Sequence, residues 1–575
     1  MHGVLRLPPT SASSSAPAAR RRHWRRAAVL LGLLTATVGL SACGSDVDHR
    51  MLVADAGSGG SGGLRLYAVK PGEKVTPKDV VATGLTGGDT INTVESDSLV
   101  RRDQVGTAWA GRALIAGNDG SGSRVTAAVP GQLPTVLNSA GQALTSIVER
   151  GVLIETAKGC SLATPDGPAK VIGTGRCSIS EDERWVASWP FQGGALSIRD
   201  LRSDKVRRVA GLDVSGNASA LGRDAVVLAP VQAGGGTRLA LVSAASGKVV
   251  SRTSTVRQVG RIDPKSEGTP GFAVSVQTDS GTELWFVGTD GKVTVVDRAP
   301  AVLVLSTRGA ITYLKFGEGG NDGKVVRRSD NGSVAVLGGR PGSGTSDELV
   351  GVVGGGQVGE KHLLLTRETA KGIEFWLAGN TGDFAERVVT VPSDQAGGAV
   401  VDEMLTIGDV AWLAVTTGQT QSLVRIHLSA GEGEAVLENQ PFVAINSVDV
   451  DGTVLVSAQA RGNADQPVVM ATFGTSGTEA TVRLRLSQPI AALLHDGAIY
   501  LGSSQDEQPV VRWVAPREQG ATVLYEKYQL AGSLWPNNNG ATSSKIITPG
   551  LLAQQAQQQA QQQGAAAGGA GPAGG

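Results

Sequence analysis

Histidine and cysteine are both scarce in this sequence, at six and three of 575 residues. Zinc sites draw on these residues at short set spacings, such as C-x-x-C or His at i and i+4. Residues 64–547 hold only His362, His427 and His495, and no pair of them has such a spacing. The sequence therefore assigns no metal ligands, no catalytic residues and no cofactor. Net charge is also missing, with 52 basic against 52 acidic residues. Six of the arginines (Arg6, Arg20, Arg21, Arg22, Arg25, Arg26) fall within residues 1–42, so the remainder carries 46 against 52. A mildly acidic body lacks the basic stripe of a nucleic-acid binder, and no nucleic-acid partner is expected. Aromatics make up only 4%. Trp109, Trp185, Trp189, Trp285, Trp376, Trp412 and Trp513 are spread thinly, as packing residues would be.

What is present begins with an address. Residues 1–42 are basic, with no acidic residue, and continue into the charge-free run Ala27–Leu40. That run has about 14 residues, short of the roughly 20 a spanning helix needs. Small residues follow it, which is the layout of a secretory signal peptide. Leu40-Ser41-Ala42-Cys43 resembles the lipobox of bacterial lipoproteins, in which the cysteine is diacylated and becomes the new N-terminus. The resemblance implies lipidation at Cys43 and a membrane partner through that lipid, at the extracytoplasmic face. The arginine cluster leaves the export route open. The other two cysteines, Cys160 and Cys177, are an even pair destined for an oxidising compartment, where a disulfide is expected.

Glycine is abundant, at 80 residues. It shows no three-residue period, and it punctuates short apolar runs as tight turns do. Leu284–Val287 leads to Thr289-Asp290-Gly291 and then Lys292–Val296. Leu239–Val242 leads to Ala245-Ser246-Gly247 and then Lys248–Val250, while Val325-Val326 leads to Asp330-Asn331-Gly332 and Ser333–Val336. Asp-Gly, Asn-Gly and Ser-Gly between alternating runs signal hairpins, because the turns that match strand twist need positive φ. Such turns recur near 71, 119, 166, 204, 246, 290, 331, 381, 431, 476 and 519. Two further strands fit between successive turns, for example Ala301–Leu305 and Ala310–Leu314. Units of about 45 residues with four strands have the size of β-propeller blades. The expected fold is all-β: a propeller of four-stranded blades, as one large ring or two fused rings.

Ser180-Glu181-Asp182-Glu183-Arg184-Trp185-Val186-Ala187 resembles the S-x-D-G-R-x-h-A stretch of TolB-like propellers, with Glu183 in place of Gly. Leu239–Val250 is similar to the hairpin of quinoprotein-like propeller repeats, with Ser243 for Asp and Ser246 for Thr. Each resemblance covers one blade and implies the fold. The abundance of Ala, Gly, Arg and Val is similar to that of actinobacterial proteins.

The expected domain plan is a signal peptide at 1–42, lipid attachment and a flexible tether at 43–63, the propeller at 64–547, and a disordered Gln/Ala/Gly-rich tail at 548–575. The tether includes the Gly/Ser run 57–63. One further strand expectation crosses these bounds. Met51–Ala54 starts an incomplete first blade, and a segment within 527–547 is expected to complete it, since open sheet edges are a liability.

Three motif matches are discounted on context. Gly59-Gly60-Ser61-Gly62-Gly63 fits the nucleophile-elbow pattern but lacks its strand and helix. Gly354-x-Gly356-x-x-Gly359 fits a dinucleotide fingerprint, yet a strand follows where a helix N-terminus is required, so a loop between strands is expected. Asp449-Val450-Asp451-Gly452 offers two carboxylates where calcium wants six or more oxygens, so a turn is expected. The leading functional expectation is a non-catalytic binding or scaffold module with a protein or envelope-glycan partner. The alternatives are an enzyme with a site built from loops of several blades, either a quinoprotein-like dehydrogenase or a glycan-acting hydrolase, and a structural subunit of an envelope complex.

Overall fold

The computed structural model describes residues between 50 and 548. It leaves out 56–63, 86–112, 119–122, 129–134, 138–143, 215–218, 221–225, 263–270, 319–322, 340–347, 393–398, 460–467, 504–507 and 534–541, and shorter stretches of one to three residues. The signal peptide, Cys43, the tail beyond 548 and Trp109 lie outside the described residues. Among the described residues the only helix is a single 3-10 turn at Pro77–Asp79, and the rest of the regular structure is β.

The strands form a β-propeller. Blades are numbered here along the chain. Blade 1 comprises Met51–Asp55, Leu64–Val69 and Val80–Leu85 with Tyr528–Ser533. Blade 2 shows three strands, Ala113–Asn118, Ser123–Ala128 and Thr135–Val136. Blade 3 spans 144–173 in four antiparallel strands. Blades 4, 5 and 6 cover 176–214, 219–255 and 256–299, and their strands run on as one continuous sheet. Blade 4 joins blade 5 where Val214 pairs with Val231, and the 14-residue strand Val249–Ile262 joins blade 5 to blade 6. Its first half pairs with Gly236–Ser243 and its second half with Gly271–Thr278, so the last strand of one blade becomes the first of the next. Blades 7 to 11 occupy 301–336, 352–392, 399–440, 442–486 and 492–526.

Ten of the eleven turns expected from the sequence fall between the third and fourth strands of a blade. The one near 119 joins the first two described strands of blade 2. The alternation that marks these hairpins is the pleat itself, with one face buried against the neighbouring blade. Fourth strands face outward, and Val206, Val334, Phe384 and Val523 on them are exposed.

Cores join the blades in succession. Leu153, Cys160 and Ile172 of blade 3 pack on Cys177 and Val186 of blade 4. Trp185, Trp189 and Leu196 share a cluster with Ala240 and Phe272, linking blades 4, 5 and 6. Further clusters join 6 to 7, 7 to 8, 8 to 9, 9 to 10 and 10 to 11. The last joins blade 11 to blade 1 through Tyr500, Val511 and Tyr525 against Met51, Val53 and Tyr67. The succession runs unbroken from blade 3 through blade 11 to blade 1, which favours one ring over two independently closed ones.

Blade 1 closes as the strand count demands. Tyr528–Ser533 pairs antiparallel with Met51–Asp55, Val53 opposite Leu530. The boundary drawn at 63 needs correction. Met51–Ala54 is fully buried inside this sheet, so the propeller begins at Met51. The glycine run 57–63 connects two strands of one blade instead of tethering the ring to a lipid.

Polar staples lock neighbouring blades. Arg327 of blade 7 is 2% exposed and donates to the carbonyl oxygens of Gly379 (2.7 Å) and Gly382 in the outer hairpin of blade 8. Arg425 of blade 9 reaches the Gly474 carbonyl of blade 10. Arg483 of blade 10 reaches Ala515 (2.6 Å) and Glu518 (2.9 Å) of blade 11. In each case a buried guanidinium donates to carbonyls at the outer hairpin of the next blade.

Candidate functional site

The described residues bring Asp449, His495 and Asp496 together, with one ligand-type atom of each within 4.8 Å of the others. Asp449 follows the first strand of blade 10, and in blade 11 His495 ends the first strand while Asp496 begins the turn after it. Both oxygens of the buried Asp449 carboxylate already accept backbone N–H groups: Oδ1 from Val450 (2.8 Å) and Asp496 (3.1 Å), Oδ2 from Gly497 (2.6 Å). Gly452 N–H closes the turn on the Asp449 carbonyl at 2.9 Å. The 449–452 fragment is thus a strand-end turn, as expected, and its first carboxylate clasps blade 11. A cation would share this carboxylate with three amide donors, and the cluster offers only three side chains where hard cations take six or more oxygens.

His362, His427 and His495 stand on blades 8, 9 and 11. Burial, the largest influence, and the charge of Lys361 hold the His362 imidazole below its ordinary value, against the opposing pull of Asp409. His427 lines an open cleft of about 440 Å³ between the outer strands of blades 8 and 9, with Arg387, Glu432 and Glu434. Two of its charges are committed to packing: Arg387 pairs with Glu374 at 3.3 Å and Glu434 with the buried Arg425.

Among the described residues, tryptophans take the packing role expected of them. Trp376 and Trp412 are 0% exposed and sit in the blade 7–8 and blade 9–10 cores. A regularity in the sequence goes with this. Gly281-Thr-Glu-Leu-Trp-Phe-Val-Gly and Gly372-Ile-Glu-Phe-Trp-Leu-Ala-Gly are the third strands of blades 6 and 8. In both, the Glu carboxylate accepts the N–H of the indole two residues on: Glu283 from Trp285 at 2.8 Å, Glu374 from Trp376 at 3.1 Å. An arginine of the outer strand, Arg298 or Arg387, completes the pair. Their G-x-E-x-W spelling was the available signal for these clamps.

Cys160 lies in the third strand of blade 3 and Cys177 in the first strand of blade 4. Their Cα atoms are 6.1 Å apart and the sulphurs stand at bonding distance, within the range disulfides occupy. The pair joins adjacent blades.

The Gly354–Gly356 run departs from its expected place. It lies inside the strand Val352–Val358, the first of blade 8, and not in a loop. Glycine is required there by a close approach of backbone. After completing blade 1, the chain returns at Thr542–Ser544 to pair with Thr406–Met404 on the free edge of the first strand of blade 9. It then exchanges two hydrogen bonds between Ile547 and Gly355, at 3.1 and 2.8 Å. A Cβ on Gly356 would lie 2.0 Å from the Lys545 carbonyl oxygen, and one on Gly354 would lie 2.7 Å from the Thr548 methyl. Ile546 is 8% exposed, in the core between blades 8 and 9, while Ile547 packs on the core between 7 and 8. The segment 542–548 is therefore a strap over two first strands.

No family model matches the chain, and no curated protein does. Solved structures similar to it include the dihydro-heme d1 dehydrogenase NirN in complex with DHE, at 13% identity and TM-score 0.29, covering 61% of this chain and 80% of that one. TolB from Acinetobacter baumannii is similar at 10% identity and TM-score 0.20, covering 54% and 81%. The Dos1 propeller is similar at 10% identity and TM-score 0.28, covering 60% and 92%. The blade assignment rests on the strand order given above.

Proposed function

We propose that the chain is an exported lipoprotein, held at the extracytoplasmic face of a membrane through a lipid on Cys43, and that its propeller is a non-catalytic binding or scaffold module for a protein or envelope-glycan partner. The observation that carries the reading is Leu40-Ser41-Ala42-Cys43, set directly after a basic segment and a short apolar run. The position of the first buried strand supports it. Seven residues separate Cys43 from Met51, a reach of at most about 29 Å, so a lipid on Cys43 would hold the seam of blades 1 and 11 close to the bilayer. A single acyl chain binds membranes only marginally, whereas two anchor stably, and diacylation at Cys43 would supply two. The non-catalytic part rests on the uses found for the clustered charges: Asp449, Glu283, Glu374 and Glu434 each hold a blade together.

The test is metabolic labelling with an alkyne fatty acid. The native chain should incorporate label and fractionate with membranes, and Cys43→Ala should do neither. Label retained by Cys43→Ala overturns the anchor.

A further inference from the structure

The structure assigns to the free edges of Val352–Val358 and Ala399–Ile407 a peptide-binding groove. Its ligand class is an extended segment with two adjacent β-branched aliphatic residues, and the chain's own Thr542–Thr548 is the occupant seen in it. The assignment is independent of the anchoring proposal: a chain lacking lipid keeps the same groove, and labelling and peptide binding can fail separately.

Three features make this a recognition site. The first is main-chain pairing. The occupant adds a short antiparallel strand to blade 9 and then bonds reciprocally to Gly355 of blade 8. Strand addition of this kind takes its affinity from the backbone and its specificity from pockets for alternate side chains.

The second is a strip without side chains. The Lys545 carbonyl occupies the place of a Gly356 Cβ, and the Ile547 carbonyl lies 2.8 Å from that of Gly354. A glycine inside a strand weakens it unless another backbone must come close. Here three in a row meet one incoming chain, with Gly355 hemmed by Leu365 of its own blade.

The third is a pair of side-chain sockets facing opposite ways, as a pleated segment requires. Ile546 enters the core lined by Leu364 and Met404, and Ile547 the one lined by Leu305 and Leu365. The groove thus reads both the extended backbone and the Ile-Ile pair. Covalent connection sets a high effective concentration for the resident segment, so the native chain keeps the groove filled and a free peptide competes poorly.

The test uses the full chain carrying Ile546→Asp and Ile547→Asp, which removes both anchors and leaves the groove intact. A fluorescein-labelled peptide of sequence Thr-Ser-Ser-Lys-Ile-Ile-Thr, that of residues 542–548, is titrated against it and followed by anisotropy. Saturable binding is expected, at least tenfold weaker to the native chain and abolished when Gly356→Val is added to the double variant. No binding by a double variant with native circular dichroism overturns the assignment, and so does binding that Gly356→Val leaves unchanged. Should the double variant fail to fold, hydrogen exchange on the native chain decides. The Gly355 amide should exchange faster than amides of His362–Thr369 in the same blade, and excess peptide should slow it. Gly355 exchange that occurs only with global unfolding and ignores the peptide overturns the assignment equally.

Discussion

At the joint of blades 3 and 4, three residues meet whose chemistry is coupled. Glu155 pairs in register with Cys160, and its carboxylate accepts the Cys177 N–H at 2.6 Å. Burial, the largest influence, raises the Glu155 carboxyl above its ordinary 4.5, against the opposing effects of the Cys177 amide and the Arg176 charge. A carboxyl raised in the folded state favours the protonated form. Its contribution to stability is fullest below the unfolded pKa and declines as pH rises through the raised value. Glu155→Gln removes that titration. The denaturant midpoint of the variant relative to the native chain should therefore climb as pH rises through and beyond the ordinary carboxyl range; a difference that stays flat with pH would show that Glu155 does not titrate abnormally. The cysteines beside it are 17 residues apart, and a bridge closing such a loop is worth on the order of 3 kcal/mol. Free-thiol titration of the denatured, oxidised protein should find neither Cys160 nor Cys177 reactive, and reduction should lower the unfolding midpoint. Two reactive thiols before reduction would refute the bond. The even count of body cysteines made the pairing legible. Its placement between blades was not legible, because spacing along the chain does not say which strands stack.

Strands and turns were the most legible layer. Alternation and Gly-containing turns carry the pleat and the positive φ directly: Gly247, Gly332 and Gly477, near three of the expected turns, adopt φ of 70°, 81° and 74°. Two elements were misread for one shared reason, that a glycine run looks like a loop or linker when its neighbours are unknown. The run 57–63 joins two strands of blade 1, and Gly354–Gly356 is itself strand. In the second case the requirement for glycine comes from a segment about 190 residues further on, and no local pattern encodes it. The buried arginines escaped notice similarly. Arg327, Arg425 and Arg483 look like solvated charges in sequence. Only the arrival of the next blade's hairpin carbonyls makes their burial favourable. The paired G-x-E-x-W strands were legible in principle, 91 residues or two blades apart, since a repeated Glu-Trp spacing on one face of a strand marks a satisfied indole.

For the whole molecule, the order in which the C-terminal strands join decides what truncation does. Removing residues after Pro549 deletes only the Gln/Ala/Gly-rich tail and leaves every described strand in the chain, and the melting temperature should stay within about a degree of native. Ending the chain after Ser533 also removes the strap. Ile546 then leaves the core between blades 8 and 9, and deletions of buried isoleucines cost about 2–5 kcal/mol each. Ending after Lys527 removes Tyr528–Ser533 as well. That exposes the edge of Met51–Asp55 and breaks the edge-to-face contacts of Tyr528 with Tyr67 (5.8 Å) and Tyr525 (6.3 Å). Tyr525 keeps its hydrogen bond to the Lys70 carbonyl at 2.9 Å, so blade 11 still touches blade 1, but the sheet of blade 1 is left a strand short. Because the blades share cores in one succession, an unfastened blade 1 loosens its neighbours as well as itself. The expected order of thermal stability is therefore native, equal to the Pro549 truncation, then Ser533, then Lys527, measured by circular dichroism at equal concentration. Equal melting temperatures for the Pro549 and Lys527 truncations would mean that blade 1 does not depend on its C-terminal strand. A Ser533 truncation as stable as the Pro549 one would mean that the strap adds no stability to blades 8 and 9.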